Sequence, residues 1–383
     1  MAISLPLIFS ILISTIILII LASLKTDHIS IIIFSLSIFF LIIVSEISLG
    51  LLPYNPASSC AEDEFKIPGK EYYKKNKSIY DFPCSLADNV RISGDLTLRE
   101  NVSVDFVTDE FGYRNYKDFN KNELVVIGDS FTVGVGVSQE NILSEQMSGL
   151  LNKDVYNASF PTHPRGYFDI WKRVNKLTSQ KFKSIFLIFE GNDFFCTVEE
   201  VYSGQPPQAS LFSYTFNFIQ NTQTYNFSYG LFNKVTSHYY PIKSPLKVDV
   251  RNVGGNNMGF LDWYVSVSKR KEHCNKANWD TTFSFLGEID NVELIVFIPT
   301  KYRVYNDMLT DIKIPKLQSQ YLKNFAEKKE INYLDLSDHL INASKKLIKS
   351  NNYTFGRGDS HWNKNGIRIA AEAIVNKIKK KNN

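Results

Sequence analysis

Three side chains in this chain have the types and the settings for acyl chemistry: Ser130, Asp359 and His361. Ser130 lies in "VVIGDSFTVGVGV", residues 125–137, where an apolar run ends in a Gly-Asp-Ser turn. A serine at the first turn of a helix that follows a buried strand exposes its hydroxyl at the carboxyl edge of a sheet. The helix's unpaired N–H groups and positive end stabilise negative charge developing there. A serine hydroxyl is a weak nucleophile, so it needs a base, and the base needs an orienting partner. "GRGDSHWNKNG", residues 356–366, offers both. Asp359 can accept from one ring nitrogen of His361 while the other takes the Ser130 proton. "FEGNDFF", residues 189–195, adds Asn192, whose amide can donate to an oxyanion together with the Ser130 N–H.

Each signal has a plainer reading in isolation. Gly-Asp-Ser can be a helix cap, and Gly-Asn-Asp can be only a turn. Asp-x-His can be a metal pair, although the sequence has no matching His/Asp cluster elsewhere. Order and context favour the joint reading, since all three follow predicted strands and would converge at one sheet edge.

The elements that must position them alternate from residue 121 onward. "ELVVIG", "DVYNAS", "SIFLIFEGND", "VELIVFIPT" and "INYLDLS" read as strands. Residues 140–151, 166–178, 315–329 and 364–379 have helical periodicity. Short apolar runs alternating with helices indicate a parallel sheet covered by helices on both faces. Ligands in such sheets bind beyond the carboxyl ends of the strands. An insertion at about 197–285 interrupts the pattern and is aromatic and Asn-rich. It leaves from a strand's carboxyl end, so it is either a wall or lid of the site or an extension packed on the core. Residues 54–120 form a polar arm or linker packing on the catalytic domain of 121–383.

Residues 1–53 differ from all of this. Ile3–Leu24 and Ile29–Val44 carry no charge. A span needs about 20 apolar residues, so the two runs read as a transmembrane hairpin, with 3–52 in the bilayer. Lys25 in the short turn places that turn in the cytoplasm and the large domain outside it. The four cysteines, Cys60, Cys84, Cys196 and Cys274, form no CxxC pair. In an exported domain they favour disulfides. Three pairings are possible, and Cys60–Cys84 with Cys196–Cys274 is the simplest by proximity, with four buried free thiols as the alternative. The net charge of +4 is scattered apart from the tail, which argues against a nucleic-acid partner.

"GDSFTVGVGV", "NASFPTHP", "EGND" and "GDSHWNKNG" stand in the order of the four blocks of the SGNH (GDSL-type) hydrolases and acyltransferases, which this chain resembles over roughly residues 121–380. The last block and "IPTKYRVY" are similar to membrane-anchored envelope members, some of which handle polysaccharide O-acetylation. The resemblance implies a three-layer α/β/α, flavodoxin-like parallel sheet and a triad of Ser130, His361 and Asp359. It also implies an oxyanion hole from the Ser130 N–H, Asn192 and the block-two residue. That last position holds Thr162 where the family has glycine, so its main-chain N–H would serve. The Asp359-x-His361 spacing is one residue shorter than the commonest pattern.

The expected protein is therefore an inner-membrane-anchored serine ester hydrolase or O-acyltransferase, acetyl by preference, whose catalytic domain faces the periplasm. Its substrate would be an envelope glycan or an acylated small molecule. A separate membrane protein would supply the acyl donor if the reaction is transfer. No metal or organic cofactor is required. The alternatives are a lipid esterase and a catalytically inactive glycan-binding module.

Overall fold

The apolar runs of the sequence become a parallel sheet buried on both faces. The structure, a computed structural model, describes residues 60–67, 69–84, 88–120, 124–194, 246–272, 276–310 and 312–382, besides the helical positions 37, 40 and 44. The expected transmembrane hairpin lies outside the described residues apart from those three positions, as do Cys196 and Cys274. Among the described residues no helix is long and apolar enough to cross a membrane. Residues Ser59–Pro206 and Thr236–Asn383 form one unit.

Five strands make the central sheet: β3 (Leu124–Ile127), β4 (Val155–Asn157), β5 (Lys183–Phe189), β8 (Val292–Ile298) and β9 (Tyr333–Asp335), in the order β4-β3-β5-β8-β9. Every neighbouring pair is parallel. This is the doubly wound order of flavodoxin-like folds, with the chain reversing its direction of growth beside the first core strand. Side chains alternate between two cores because the strand period is 2. Val126, Ile185, Leu187, Leu294 and Val296 face one side. Val125, Phe186, Ile188, Ile295 and Phe297 face the other. Six consecutive buried positions in β5 explain why it reads as an unbroken apolar run.

Helices α4 (Leu143–Leu151) and α11 (Lys364–Asn382) cover the first face together with α8 (Lys301–Leu309) and α10 (Ser337–Leu347). Helices α5 (Pro164–Thr178), α7 (Lys276–Phe283) and α9 (Leu317–Lys328) cover the second. The sequence periodicity finds α4, α5, α9 and α11, and it misses α8 and α10.

The described end of the insertion packs on the core through Val253, Met258 and Phe260, and its Gly259 N–H also bonds the site loop at Arg357. It forms a hairpin, β6 (Val248–Val253) and β7 (Asn256–Leu261), and then α6 (Asp262–Ser268) and α7. Gly254 and Gly255 make the two-residue turn with φ of +61° and +94°, a conformation that glycine adopts without a steric penalty. Residues 195–245 of the insertion lie outside the described residues.

The arm is more than a linker. It holds α1 (Ala61–Phe65), an antiparallel pair β1 (Ser78–Cys84) and β2 (Val102–Val107), and α2 (Asp88–Ser93) between them. A Cys60–Cys84 disulfide closes it, and its small core of Phe65, Tyr73, Phe82 and Phe106 includes Val133 from the main domain. Arg114, fully buried, is the central tie. Its guanidinium donates to the carbonyls of Asp105 (2.8 Å), Val133 (3.3 Å), Gly134 (2.6 Å) and Val137 (2.7 Å) and to Gln139 Oε1 (2.9 Å). The same group lies over the Phe106 ring, 4.4 Å from its centroid. A planar fork of donors suits that spread of acceptors, whereas a lysine could not reach them all. Arg114→Met keeps the apolar stem but strands several buried carbonyls. Each stranded group costs about 1–3 kcal/mol, so the full chain should lose at least about 3 kcal/mol in urea unfolding, and a loss under about 1 kcal/mol would show the tie to be dispensable.

Candidate active site

Ser130 sits where the sheet's first core strand stops. Gly128 ends β3 in a space with no room for a side chain, since a Cβ there would lie 2.2 Å from Thr132 Oγ1 and 3.0 Å from the Leu187 carbonyl oxygen. Asp129 then caps a short helix, α3 (Ser130–Val133), by accepting from the Phe131 N–H at 2.9 Å. Gly134, at φ +82°, ends it. The plainer reading of Gly-Asp-Ser as a cap is therefore correct for Asp129 and leaves Ser130 at the first helical position. The N–H of that position has no partner inside the helix.

The structure brings Ser130, His361 and Asp359 into one hydrogen-bonded chain. His361 Nε2 stands 2.8 Å from Ser130 Oγ, and His361 Nδ1 stands 2.6 Å from Asp359 Oδ1. The same carboxylate oxygen accepts from the His361 main-chain N–H at 2.9 Å, so the two-residue spacing closes into a tight local turn. Phe131 packs its ring 4.9 Å from the imidazole, and Trp362 Nε1 donates to the Phe131 carbonyl at 2.9 Å. These contacts pin the 356–362 loop to α3.

That loop has few hydrogen bonds of its own, and other elements supply them. Lys301 Nζ, at the start of α8, lies within hydrogen-bond distance of the carbonyls of Gly356 (2.6 Å), Arg357 (2.8 Å), Asp359 (2.9 Å) and Gly259 on β7 (2.8 Å), which share its three donors. The Gly259 N–H donates to the Arg357 carbonyl at 2.9 Å. From the arm, the N–H groups of Asn89 and Val90 donate to the Gly358 carbonyl at 3.1 and 3.3 Å. Asp88 accepts from the Ser360 N–H at 2.8 Å and from its hydroxyl. Sequence reasoning missed Lys301 and Asp88. The lysine in "IPTKYRVY" was visible, whereas nothing marked an aspartate 271 positions before Asp359 as a neighbour of the site.

Asn192 and Thr162 lie after neighbouring strands but are not among the residues that line the cavity in front of Ser130. Both follow strands that flank β3: Asn192 comes after β5 and Thr162 after β4. The Asn192 side chain lies near the Asp129 carboxylate, and Asp129 Oδ2 and Asn192 Oδ1 are both buried without a hydrogen-bond partner. The turn carrying it is fixed by Asp193, which accepts from the Phe189 N–H at 2.7 Å and from the Tyr167 hydroxyl at 3.0 Å. Glu190, at the strand's end, is held by Arg303, two residues after Lys301. Thr162 turns its hydroxyl to Glu71 at 3.1 Å. Its backbone is not among the residues with positive φ, so a side chain at the family's glycine position is sterically acceptable.

The charges around the imidazole favour its protonated form. Burial opposes the charge on His361, but Asp359 beside it, with Asp88 and Asp129 behind, lifts its pKa to about 9. Burial also opposes ionisation of Asp359, yet His361 and Lys301 hold that carboxyl below its usual range. Burial raises Asp88 to about 6, helped by Asp359 and resisted by His361. The ligand atoms of Asp88, Asp359 and His361 lie within 4.8 Å of one another, close enough for a metal ion. Both Asp88 oxygens accept from Ser360, and Asp359 Oδ1 is paired with His361. A cavity of about 300 Å³ opens in front of Ser130 and His361, walled by the Cys60–Cys84 disulfide, Glu62, Asp63 and Glu100.

Residues 289–383 match the family described as SGNH hydrolase-like domain, acetyltransferase AlgX, a segment that contains Asp359 and His361. Among solved structures, a lipolytic protein of the G-D-S-L family from Desulfitobacterium hafniense DCB-2 aligns at 14% identity with a TM-score of 0.33, covering 67% of this chain and 99% of that one. No curated protein matches the chain.

His361 can accept a proton only when neutral. With its pKa at about 9, kcat/KM toward a soluble acetyl ester should climb as pH rises toward 9. Asp88→Asn removes one of the charges that hold the imidazolium and keeps an acceptor for the Ser360 N–H. The ascending limb should then move to lower pH, and a limb that stays in place would exclude Asp88 from the electrostatics of the base.

Proposed function

We propose that this chain, which is of the SGNH hydrolase-like kind, is a membrane-anchored serine O-acyltransferase or ester hydrolase that moves acetyl groups on a cell-envelope glycan. The observation that carries the reading is the unbroken relay from Asp359 through His361 to Ser130 at the carboxyl edge of the sheet. The match to a family named for an acetyltransferase supports acetyl as the group moved. The Cys60–Cys84 disulfide suits a domain held outside the reducing cytoplasm. The uncharged runs 3–24 and 29–44 suit an anchor in the inner membrane.

In this mechanism Ser130 Oγ attacks the ester carbonyl as His361 Nε2 removes its proton. Asp359 holds the imidazole by Nδ1 and stabilises the imidazolium. The oxyanion receives the unpaired Ser130 N–H, with Asn192 and the Thr162 N–H as further donors from the neighbouring strand ends. His361 returns the proton to the departing alcohol, leaving an acetyl-enzyme. Water or a sugar hydroxyl, deprotonated by the same imidazole, then takes the acetyl group. For transfer, a separate membrane protein would bring the acetyl donor.

Ser130→Ala in the full chain should lower turnover of an acetyl ester by roughly 10⁴-fold or more, and a fluorophosphonate should label Ser130 in the parent. Asn192→Ala should cost roughly 10²–10³ in kcat with a smaller change in KM. Turnover that survives Ser130→Ala intact would reject this serine as the nucleophile.

A further inference from the structure

A second cavity of about 590 Å³ adjoins the one in front of Ser130, with Glu100, Val102, Gly136 and Asn363 lining both. Its chemistry is unusual for a protein surface. Seven of its lining residues are asparagines, joined by two serines and Tyr353. Val102 and Val137 are the aliphatic side chains among the lining residues. Two carboxylates, Glu100 and Glu140, face two cations, Arg357 and Lys364, so the formal charges cancel. Glu100 is already engaged by Arg357, whose main-chain N–H donates to it at 2.6 Å.

Several of these amides are held by one end and open at the other. Asn141 donates its amide to Glu140 at 2.7 Å, Asn352 to the Ser350 carbonyl at 3.0 Å, and Asn256 to the Tyr353 hydroxyl at 3.0 Å. Each bond uses the nitrogen and leaves the carbonyl oxygen of the same side chain available to a ligand. A carboxamide fixed in this way is pre-organised, so less ordering entropy is lost when a partner binds. A surface of neutral donors and acceptors matches a ligand that is itself both at every position. Polyhydroxyl chains have that property, and hydroxyls that meet partnered amides lose little on leaving water. An acyl chain would strip water from the amides and return nothing. A polyanion would find as many carboxylates as cations.

We infer that this cleft is a subsite for a neutral oligosaccharide, seating several sugar units of the acceptor so that one hydroxyl reaches the acetylated Ser130. The inference deepens the proposed function and rests on its glycan acceptor. Binding alone tests it, without turnover. Full-chain Ser130→Ala protein is titrated by calorimetry with neutral hexasaccharides built on glucose, galactose and xylose backbones, and with a galacturonate hexamer. At least one neutral hexasaccharide should bind. The combined variant Asn101→Ala, Asn141→Ala, Asn352→Ala should weaken that binding at least tenfold. Should the combined variant fail to fold, Asn101→Ala alone, at an exposed position, should weaken it measurably. No neutral hexasaccharide binding at millimolar concentration, binding unchanged by the asparagine variants, or tighter binding of the galacturonate would each overturn the assignment. An inactive Ser130 would sink the acyl-transfer mechanism and leave this measurement standing.

Discussion

The site depends on one buried lysine, Lys301, whose pKa burial lowers to about 7 against the pull of Asp88 and Asp359. The loop that carries Asp359 and His361 is rich in glycine, and several of its half-buried carbonyls need partners from other elements. Lys301 Nζ meets three of those carbonyls and ties them to a fourth on β7. Without it, the Asp359 carbonyl would lose its partner, and those of Gly356 and Arg357 would keep only the N–H groups of Asp359 and Gly259. The loop would relax toward solvent, and the imidazole would lose its 2.8 Å approach to Ser130. The same short helix sends Arg303 to Glu190, at the end of β5 and just before Asn192. One turn of α8 therefore holds two of the three loops that meet at the sheet edge. A sequence motif that resembles a family segment has a positioning role in this structure, with no reacting atom of its own.

The arm supplies the rest of the framework. Arg114 gathers the carbonyls that follow α3, and α2 presents two N–H groups and a carboxylate to the loop at 358–360. Asp88 has a second consequence. A carboxylate whose pKa is near 6 is largely ionised above that pH. It then adds to the field of Asp359 and Asp129 on the imidazole and raises the basicity of His361. Basicity and availability oppose each other here. A stronger base removes the serine proton more readily but is neutral in a smaller fraction of molecules near neutral pH. The disulfide that fixes the arm also lines the cavity, so the scaffold and the substrate wall are the same structure.

The legible parts of the fold were those written as continuous local patterns. β5 and β8 show long apolar runs because both of their faces are covered, and α11 shows its buried stripe at Ile367, Ala370, Ala371 and Ile374. Ser130, Asp359 and His361 were legible because each sits in a turn whose residue types are unusual for a plain connection. Asp88 and Arg114 were not legible. Each acts across a long sequence separation, and a polar residue between two short strands carries no mark of its eventual partner. α8 buries polar side chains such as Lys301, Arg303 and Asn306, so periodicity of apolar residues could not outline that helix. The insertion's hairpin was hidden for another reason. Its burial is set by contact with α8 and the arm, far away in sequence, which the local pattern does not encode.

The two cavities divide the chemistry between them. Around Ser130 the wall holds Glu62, Asp63, Asp88, Glu100 and Asp359, with Lys66 as a lining cation. Such a wall repels anions and favours the imidazolium that forms when the serine attacks. A neutral ester enters without penalty, whereas a free carboxylate, once released, is pushed out. The adjoining cleft has no net formal charge and is rich in amides. An acceptor seated there is presented to an acidic centre by uncharged hydrogen bonds, which salt screens little. In the proposed reaction the long range of charge would act on the departing product, while the short range of amide contacts would select the acceptor.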